Sequence, residues 1–200
     1  YPATLLGEDP LTDIAVLKVD AKNLEAMPFG NSDDVKIGEW VLAVGSPFSE
    51  NLKATITAGI VSGTGRSGMH LTEYEDFIQT DAAINPGNSG GALVNAEGRL
   101  IGISTAILSR SGGNQGIGFA IPVNMARNVT DQIIRGGKVS RAFLGVMIQP
   151  VTPDLAKAFK LAKSEGALIS DVSPNSPAER ASLKAGDVVI ISGAPGRNPA

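Results

Sequence analysis

The chain has 200 residues, of which 42% are hydrophobic and 18% are charged, so it can bury a core and global disorder is excluded. The formal net charge is −3, from 17 basic and 20 acidic residues, and no basic stretch occurs, so nucleic acid is not an expected partner. The absence of cysteine and the single histidine exclude thiol catalysis, disulfides and sites built on several Cys or His ligands, so no metal or cofactor is expected.

Glycine and proline, with 24 and 12 residues, are spread between short β-branched runs. This pattern is typical of many short strands with tight turns, as in a barrel or a sandwich. A hairpin is predicted over residues 92–106, with its turn at 96–98. The predicted strands of this region are, in chain order, Ile14–Val19, Trp40–Val44, Thr55–Val61, Phe77–Thr80, Ala92–Asn95, Leu100–Ala106 and Gly118–Ile121.

After Pro122 the apolar residues recur every four positions, at Met125, Val129 and Ile133, which predicts a helix that ends at residues 136–137. A helix after a run of strands marks a domain boundary. We therefore expect a mostly β domain over residues 1–138 and a second domain over residues 139–200. The elements predicted in the second domain are strand Leu144–Gln149, helix Asp154–Leu161, strand Ala167–Val172, helix Ala178–Ala181 and strand Asp187–Ile191.

The two ends of the sequence predict a piece of a longer protein. The chain begins at Tyr1 without a methionine, and residues 193–200 are rich in glycine and proline directly after a predicted strand. A signal or anchor segment is therefore expected to lie outside these residues, so that their lack of a leader says nothing about export.

The strongest chemical signal is the sequence GNSGG at residues 87–91. Acyl transfer needs an exposed hydroxyl beside two backbone N–H groups that converge on one oxygen. A glycine two residues before Ser89 lets the backbone turn so that the N–H groups of Gly87 and Ser89 point the same way. The alternative interpretation is a polar turn before a strand.

Asp13 is the second signal, because it precedes an alternating apolar strand. A carboxylate buried at this point could orient an imidazole and stabilise its charged form. The alternative is a turn residue that caps the strand.

Three stretches together resemble the HtrA/Deg family of trypsin-like serine proteases: TDIAVLKV at 12–19, QTDAAINPGNSGGALVN at 79–95 and GIGFAIP at 116–122. The resemblance covers nearly the whole chain. It implies a mostly β fold, a trypsin-like double β-barrel of which this chain holds the complete second barrel and only the last strands of the first, followed by a truncated PDZ domain. It also implies that Ser89 is the nucleophile, that Asp13 orients the base, and that the N–H groups of Gly87 and Ser89 form the oxyanion hole.

A serine nucleophile needs a general base, and His70 is the one histidine. Trypsin-like proteases run in the order His, Asp, Ser, so the resemblance implies a base upstream of Tyr1 and leaves His70 as an exposed loop residue. The order Asp13, His70, Ser89 is also that of the subtilisin-type triad. That architecture has helices after its histidine and at its serine, whereas the residues after Ser89 are β-like. The order is therefore interpreted as coincidental, and this chain alone is not expected to hydrolyse peptides with a complete triad.

The resemblance also implies a primary specificity pocket with Ala83, six residues before Ser89, at its floor. Such a pocket is uncharged, because the carboxylate of Asp81 is expected to lie outside it. It therefore favours substrates with small aliphatic residues such as Val or Ala at the cleaved position. The resemblance also places Asn88 among the substrate-binding residues. Digestive relatives carry an aspartate before the nucleophile and use it to bind a newly cut N-terminus, whereas Asn88 is uncharged, so activation by N-terminal cleavage is not expected. The resemblance instead favours ordering of the loop by a ligand or by neighbouring subunits. The pocket wall and substrate-pairing strand would come from Thr105, Ala106, Ile107, Leu108 and Ser109, although the side chains of Ile107 and Leu108 could instead belong to the core.

In the second domain, RAFLGV at 141–146, GALI at 166–169, SPNSPA at 173–178 and LKAGDVV at 183–189 resemble a PDZ domain. A PDZ groove binds a peptide C-terminus by strand addition and by loop N–H groups. The alternative is a folded spacer without affinity. The pattern departs from the family after Ile191, so part of the groove is expected to be absent. The residues implied to bind the peptide are Leu144, Gly145, Val146, Met147 and Ile148.

The resemblance implies a serine endopeptidase of protein quality control in the bacterial periplasm or cell envelope. It also implies, as partners, unfolded or misfolded protein substrates, peptide C-termini and further copies of the same chain in a homotrimer or larger homo-oligomer. The alternatives are a non-catalytic peptide-binding or chaperone protein that uses the same cleft, and a pure scaffold. A histidine upstream of Asp13 in the parent gene would discriminate the enzyme from the binding or chaperone protein, whereas the scaffold requires an occluded Ser89 that fails to label.

Overall fold

The chain divides into two units, Tyr1–Ser140 and Arg141–Ala200. The structure, a computed structural model, describes residues 1–47, 54–109, 112–164 and 166–190. None of the helices in these ranges is long and apolar enough to cross a membrane.

The first unit begins with a two-stranded antiparallel sheet of β1 (Ala3–Asp9) and β2 (Ile14–Val19). The turn between them is closed by Thr12, whose N–H donates to the carbonyl oxygen of Asp9 (3.1 Å) and whose hydroxyl donates to the Asp9 carboxylate (2.5 Å). Both residues are buried. Strand β1 was not predicted from the sequence, whereas β2 has the predicted bounds.

Six further strands close into an antiparallel barrel in the order β3-β4-β5-β8-β7-β6. Buried Val41, Val61, Ile78, Leu93 and Ile101 fill its interior. The barrel and the separate sheet confirm the expected mostly β fold. Strand β4 extends to Arg66, beyond its predicted end at Val61. Its pairing with β5 shifts register between Val61 and Gly63 and again between Gly63 and Arg66, and these shifts accommodate the glycines that interrupt the alternation. The strands are β3 (Trp40–Gly45), β4 (Thr55–Arg66), β5 (Phe77–Thr80), β6 (Ala92–Asn95), β7 (Leu100–Ile107) and β8 (Gly118–Pro122).

Helix α1 (Val123–Gly136) covers one side of this unit, as its four-residue period predicts. Its buried face, which includes Val129 and Ile133, packs in one cluster with Phe77 and Phe119. The helix ends because Gly137 adopts a left-handed conformation (φ 72°), from which its N–H donates to the carbonyl oxygen of Ile133 (2.7 Å).

The loop between β4 and β5 is organised around the carboxylate of Glu75. Its oxygens accept hydrogen bonds from the N–H groups of Met69 (2.8 Å), Leu71 (2.7 Å) and Thr72 (3.2 Å). Burial raises the pKa of Glu75, but hydrogen bonds from the backbone of Leu71, Met69, Thr72 and Gly68 outweigh it and hold the pKa below its ordinary value of 4.5.

The lowered pKa of Glu75 predicts that this loop loosens in acid. Because the folded-state pKa lies below that of the unfolded chain, the carboxylate stabilises the loop above pH 4.5, and this stabilisation is lost as the pH falls through the folded-state pKa. NMR titration should show the amide shifts of residues 68–72 following the protonation of Glu75 below pH 4.5. In Glu75→Gln the same amides should already be perturbed at neutral pH. Amide shifts that stay constant through this titration would contradict the prediction.

The described residues of the second unit form a three-stranded antiparallel sheet in the order β11-β10-β9. Strand β9 begins at Val146 and not at Leu144 as predicted, because Gly145 leaves the extended conformation (φ 81°). Helix α2 ends at Ala158 rather than Leu161, and Ile191 of the predicted last strand lies outside the described residues. The elements are β9 (Val146–Pro150), α2 (Pro153–Ala158), β10 (Ala167–Val172), α3 (Pro177–Arg180) and β11 (Val188–Val189).

Candidate active site

Ser89 lies at an exposed turn between β5 and β6. The N–H of Asn88 donates to the carbonyl oxygen of Asn85 (2.9 Å), and Gly87, the third residue of that turn, has φ 99°. A positive φ at this position is characteristic of a type II turn, which requires a glycine. The next residue, Gly90, fastens the turn to β7 because its N–H donates to the carbonyl oxygen of Ser104 (2.8 Å).

The two residues on either side of Asn88 carry backbone N–H groups without a hydrogen-bond acceptor among the described residues. Gly87 and Ser89 are both exposed, and within residues 1–47, 54–109, 112–164 and 166–190 neither N–H donates a hydrogen bond. Two N–H donors without internal acceptors can bind an oxygen that develops negative charge.

Thr105 contacts both the serine and the aspartate of the candidate site. Its carbonyl oxygen accepts a hydrogen bond from Oγ of Ser89 (2.8 Å), and its Oγ1 donates to Oδ2 of Asp13 (2.5 Å). The β7–β8 pairing is irregular between Ser104 and Ala106, which leaves Thr105 as the bulged residue. A bulge re-aims a side chain, and here it lets one residue reach two chain segments. The sequence predicts Thr105 only for the pocket wall and the strand that pairs with the substrate, and not for these two contacts.

Asp13 is exposed, so the expected buried carboxylate is wrong for this chain. The residue lies in the turn before β2 with φ 61°, and the buried face of the strand begins one position later, at Ile14. Its side chain is therefore not part of that face.

Asp13 and Ser89 line the same cleft, whose volume is about 450 Å³ and whose other walls include Ile103, Ala126 and Arg127. His70 is not among the described residues that line it. That histidine lies exposed in the loop held by Glu75, as the loop interpretation predicted. Strand β6 follows Ser89, so the helix that a subtilisin-type arrangement has at its serine is not found there.

Ala83, the expected pocket floor, is half-buried and its carbonyl oxygen accepts two hydrogen bonds. One comes from Oγ1 of Thr57 (2.9 Å) and the other from Nδ2 of Asn88 (3.4 Å). The carboxylate of Asp81 accepts a hydrogen bond from the N–H of Ile60 (2.7 Å) and is thereby bound to the backbone of β4.

Asn88 is only 2% exposed, and its side chain is packed against Gly45 of β3. A Cβ at Gly45 would lie 2.6 Å from Oδ1 of Asn88, so this glycine makes room for the amide. No described residue donates to that oxygen.

The residues of the expected pocket wall differ in their surroundings. Thr105, Ala106 and Ile107 lie in β7 and are half-buried, and Ile107 packs against the barrel core. Leu108 is 57% exposed, so the alternative that it belongs to the core is wrong. The hydroxyl of half-buried Ser109 donates to the carbonyl oxygen of Gly113 (2.5 Å).

The loop after β7 is tied to the turn of Ser89 by Asn85, a contact that sequence analysis missed. Oδ1 of Asn85 accepts from the N–H of Asn114 (2.9 Å), while its carbonyl oxygen accepts from Asn88. One asparagine thus makes hydrogen bonds both within the turn of Ser89 and with the loop after β7. Across the described ranges, no group of three or more His, Cys, Asp or Glu side chains could hold a metal ion.

In the second unit, the described sheet has β9 at one edge. Met147 and Ile148 of this strand are 63% and 60% exposed, and Leu144 before it is 48% exposed. Gly145 is buried, and a Cβ there would lie 2.2 Å from Cβ of Ser176. The carbonyl oxygens of Leu144 and Gly145 accept from Ala178 and Ser173 (both 2.9 Å), which anchors the loop that leads into β9.

Comparison with known proteins gives two domain matches. The profile of the trypsin-like peptidase domain matches residues 1–103, and that of the PDZ domain matches residues 132–192. These matches confirm the expectation of a trypsin-like domain followed by a PDZ domain.

Curated relatives and solved structures agree with these matches. A probable periplasmic serine endoprotease DegP-like of Chlamydia pneumoniae is 55% identical over 190 residues, covering 95% of this chain and 38% of that protein. The periplasmic serine endoprotease DegP of Escherichia coli strain K12 is 51% identical over 197 residues, covering 98% and 41%. The HtrA-type protease AlgW with a tripeptide is 54% identical, with a TM-score of 0.78, over 93% of this chain and 61% of that one. The chain therefore spans about two fifths of the length of these curated relatives.

Proposed function

Because the chain belongs to the HtrA/Deg family of trypsin-like serine proteases, we propose that it is part of a serine endopeptidase in which Ser89 is the nucleophile. The observation that carries this proposal is the position of Thr105, which accepts from the Ser89 hydroxyl and donates to Asp13. Ser89 and Asp13, which lie on separate segments of the chain, are thereby brought beside the same residue, as a nucleophile and the carboxylate that orients its base must be.

In this mechanism an imidazole outside the 200 residues takes the proton from Oγ of Ser89 as that oxygen attacks the peptide carbonyl. Asp13 orients the imidazole and stabilises its cation, and Thr105 holds the carboxylate of Asp13 in place. The N–H groups of Gly87 and Ser89 bind the oxyanion. The imidazolium then returns the proton to the leaving amine, and water hydrolyses the acyl-enzyme by the same steps.

The proposed substrates are unfolded or misfolded proteins, cut after small aliphatic residues such as Val or Ala. Support comes from Ala83, which adds no charge to the pocket, and from Asp81, whose carboxylate is held by Ile60. Thr105 to Ser109 would then provide the wall and the strand that pairs with the substrate. The relatives named periplasmic support a location in the bacterial periplasm or cell envelope.

The PDZ unit is proposed to bind peptide C-termini through residues 144–148. The edge position of β9 within the described sheet, with exposed Met147 and Ile148, suits addition of a peptide strand.

A homotrimer or larger homo-oligomer is proposed for the whole protein. Trp40, Leu42 and Ile56 are 67%, 40% and 60% exposed and share one face of the β3–β4 pair. An exposed apolar stripe of this kind is typical of an interface, and here a second copy is the proposed occupant. Light scattering of the full-length protein tests this assembly, and a molar mass equal to that of one chain would contradict the proposed oligomer.

Active-site labelling tests the catalytic proposal. The full-length protein should react with a fluorophosphonate probe at Ser89, and Ser89→Ala should lose the label and peptide hydrolysis while keeping the wild-type circular dichroism. Labelling that persists in Ser89→Ala would overturn the assignment. A folded full-length protein that neither labels nor hydrolyses peptides would instead favour the binding or chaperone alternative.

A further inference from the structure

The chain between β5 and the turn of Ser89 is attached to β4 by side chains beyond the last paired residues of the two strands. The β4–β5 pairing ends at Val61 and Thr80. From there, Oγ1 of Thr80 donates to the carbonyl oxygen of Ile60 (2.8 Å), and the carboxylate of Asp81 accepts from the N–H of the same Ile60 (2.7 Å). Side chains thus satisfy the backbone groups of β4 that a longer β5 would have paired.

Gly59 allows an unusually close approach at the same place. A Cβ at this position would lie 2.3 Å from the backbone nitrogen of Ala82 and 2.5 Å from Oδ1 of Asp81. Residues 81–82 therefore rest directly on the backbone of β4.

Thr57 makes the last of these attachments, and it does so at Ala83. Its Oγ1 donates to the Ala83 carbonyl oxygen at 2.9 Å, which is good hydrogen-bond geometry, whereas the second donor, Nδ2 of Asn88, is 3.4 Å away. Thr57 is half-buried and pairs with Ala43 of β3, so its own position is set by the barrel.

We propose that Thr57 is a positioning residue for substrate selection, because its hydroxyl fixes the Ala83 carbonyl and thereby the floor of the primary specificity pocket. This inference rests on the proposed protease function. Thr57 acts through Ala83 and does not touch the substrate. Asn88, which lies between the two proposed oxyanion donors, contacts the same carbonyl oxygen through its Nδ2, so the proposed pocket floor and the turn of Ser89 meet at this acceptor.

Loss of this hydroxyl should change selectivity as well as rate. In Thr57→Val, which keeps the side-chain shape, the Ala83 carbonyl retains only the longer contact with Asn88. The pocket floor is then free to move. Because the pocket selects small aliphatic side chains by their size, a mobile floor lowers its selectivity against larger side chains. We expect the ratio of kcat/KM for peptides with Val over Phe at the cleaved position to fall about tenfold.

The experiment uses the full-length protein and matched peptides that differ only in this residue. Thr57→Ser should restore the wild-type ratio because it keeps the hydroxyl. Thr64→Val on the same strand, whose hydroxyl makes no hydrogen bond among the described residues, is the matched control and should leave the ratio unchanged. If Thr57→Val only destabilised the protein, kcat/KM would fall equally for both peptides and the Val-to-Phe ratio would stay unchanged.

The outcomes separate this inference from the function it rests on. If wild-type protein neither labels at Ser89 nor hydrolyses the peptides, the proposed function fails. If wild-type protein is active and Thr57→Val keeps its Val-to-Phe ratio, the inference alone is overturned. Thr57→Ala serves as a second hydroxyl-free variant. Failure of both variants to fold, with Thr57→Ser folded, would assign the hydroxyl a purely structural role and overturn the inference as well.

Discussion

Asp13→Asn is expected to lower kcat of the full-length protein about 10⁴-fold while leaving its fold intact. An asparagine has nearly the same shape and can still accept from Oγ1 of Thr105, so the contact across the cleft is retained. It has no charge with which to stabilise an imidazolium, and its amide group favours the wrong tautomer of a neighbouring imidazole. Because Asp13 is exposed, the substitution leaves no buried group without a partner.

Hydrolysis of a peptide at saturating concentration measures this effect, with the Tm recorded in parallel. Asp20→Asn is the matched control, since Asp20 is also an exposed aspartate next to β2 and should keep wild-type kcat. A kcat of Asp13→Asn within about tenfold of wild type would remove Asp13 from the catalytic group.

Gly91→Ala should destabilise the barrel by about 3 kcal/mol or more and abolish hydrolysis. A Cβ at Gly91 would lie 2.0 Å from the carbonyl oxygen of Val44 and 2.8 Å from that of Asn88. Both contacts are with backbone atoms, which cannot rotate away as a side chain does. Relief requires β3 or the turn of Ser89 to move, and the turn carries the nucleophile.

The free-energy change corresponds to a fall in the barrel's Tm of about 10 °C, measurable by calorimetry. Gly136→Ala is the control, because a Cβ there meets nothing within 4 Å and the residue lies in α1. It should raise stability by up to about 1 kcal/mol through helix propensity. Wild-type Tm and activity in Gly91→Ala would refute the close contact with Val44.

Strand prediction succeeded for short apolar runs that are bounded by turn residues. Phe77–Thr80, Ala92–Asn95 and Ala167–Val172 have the predicted bounds, and each contains adjacent buried residues, so these strands are covered on both faces. Ala3–Asp9 was missed because Leu5 and Leu6 are both largely exposed, so that strand has no alternation to detect. The start of β9 was misjudged because Gly145 adopts φ 81° and lies close against Ser176, a contact between distant residues that the local sequence does not show.

The sequence by itself determined the turn of Ser89, since the glycine at position 87 and the glycines after the serine are local requirements of backbone geometry. It also determined the presence of strands β2 to β8 and of the helix that closes the first unit, because apolar patterning is a local property. Only the tertiary structure decided that Thr105 joins Ser89 to Asp13, that Asp13 is exposed, and that Thr57 holds Ala83. Those contacts span up to 92 residues and depend on a bulge and on strand register, which arise only when the barrel closes.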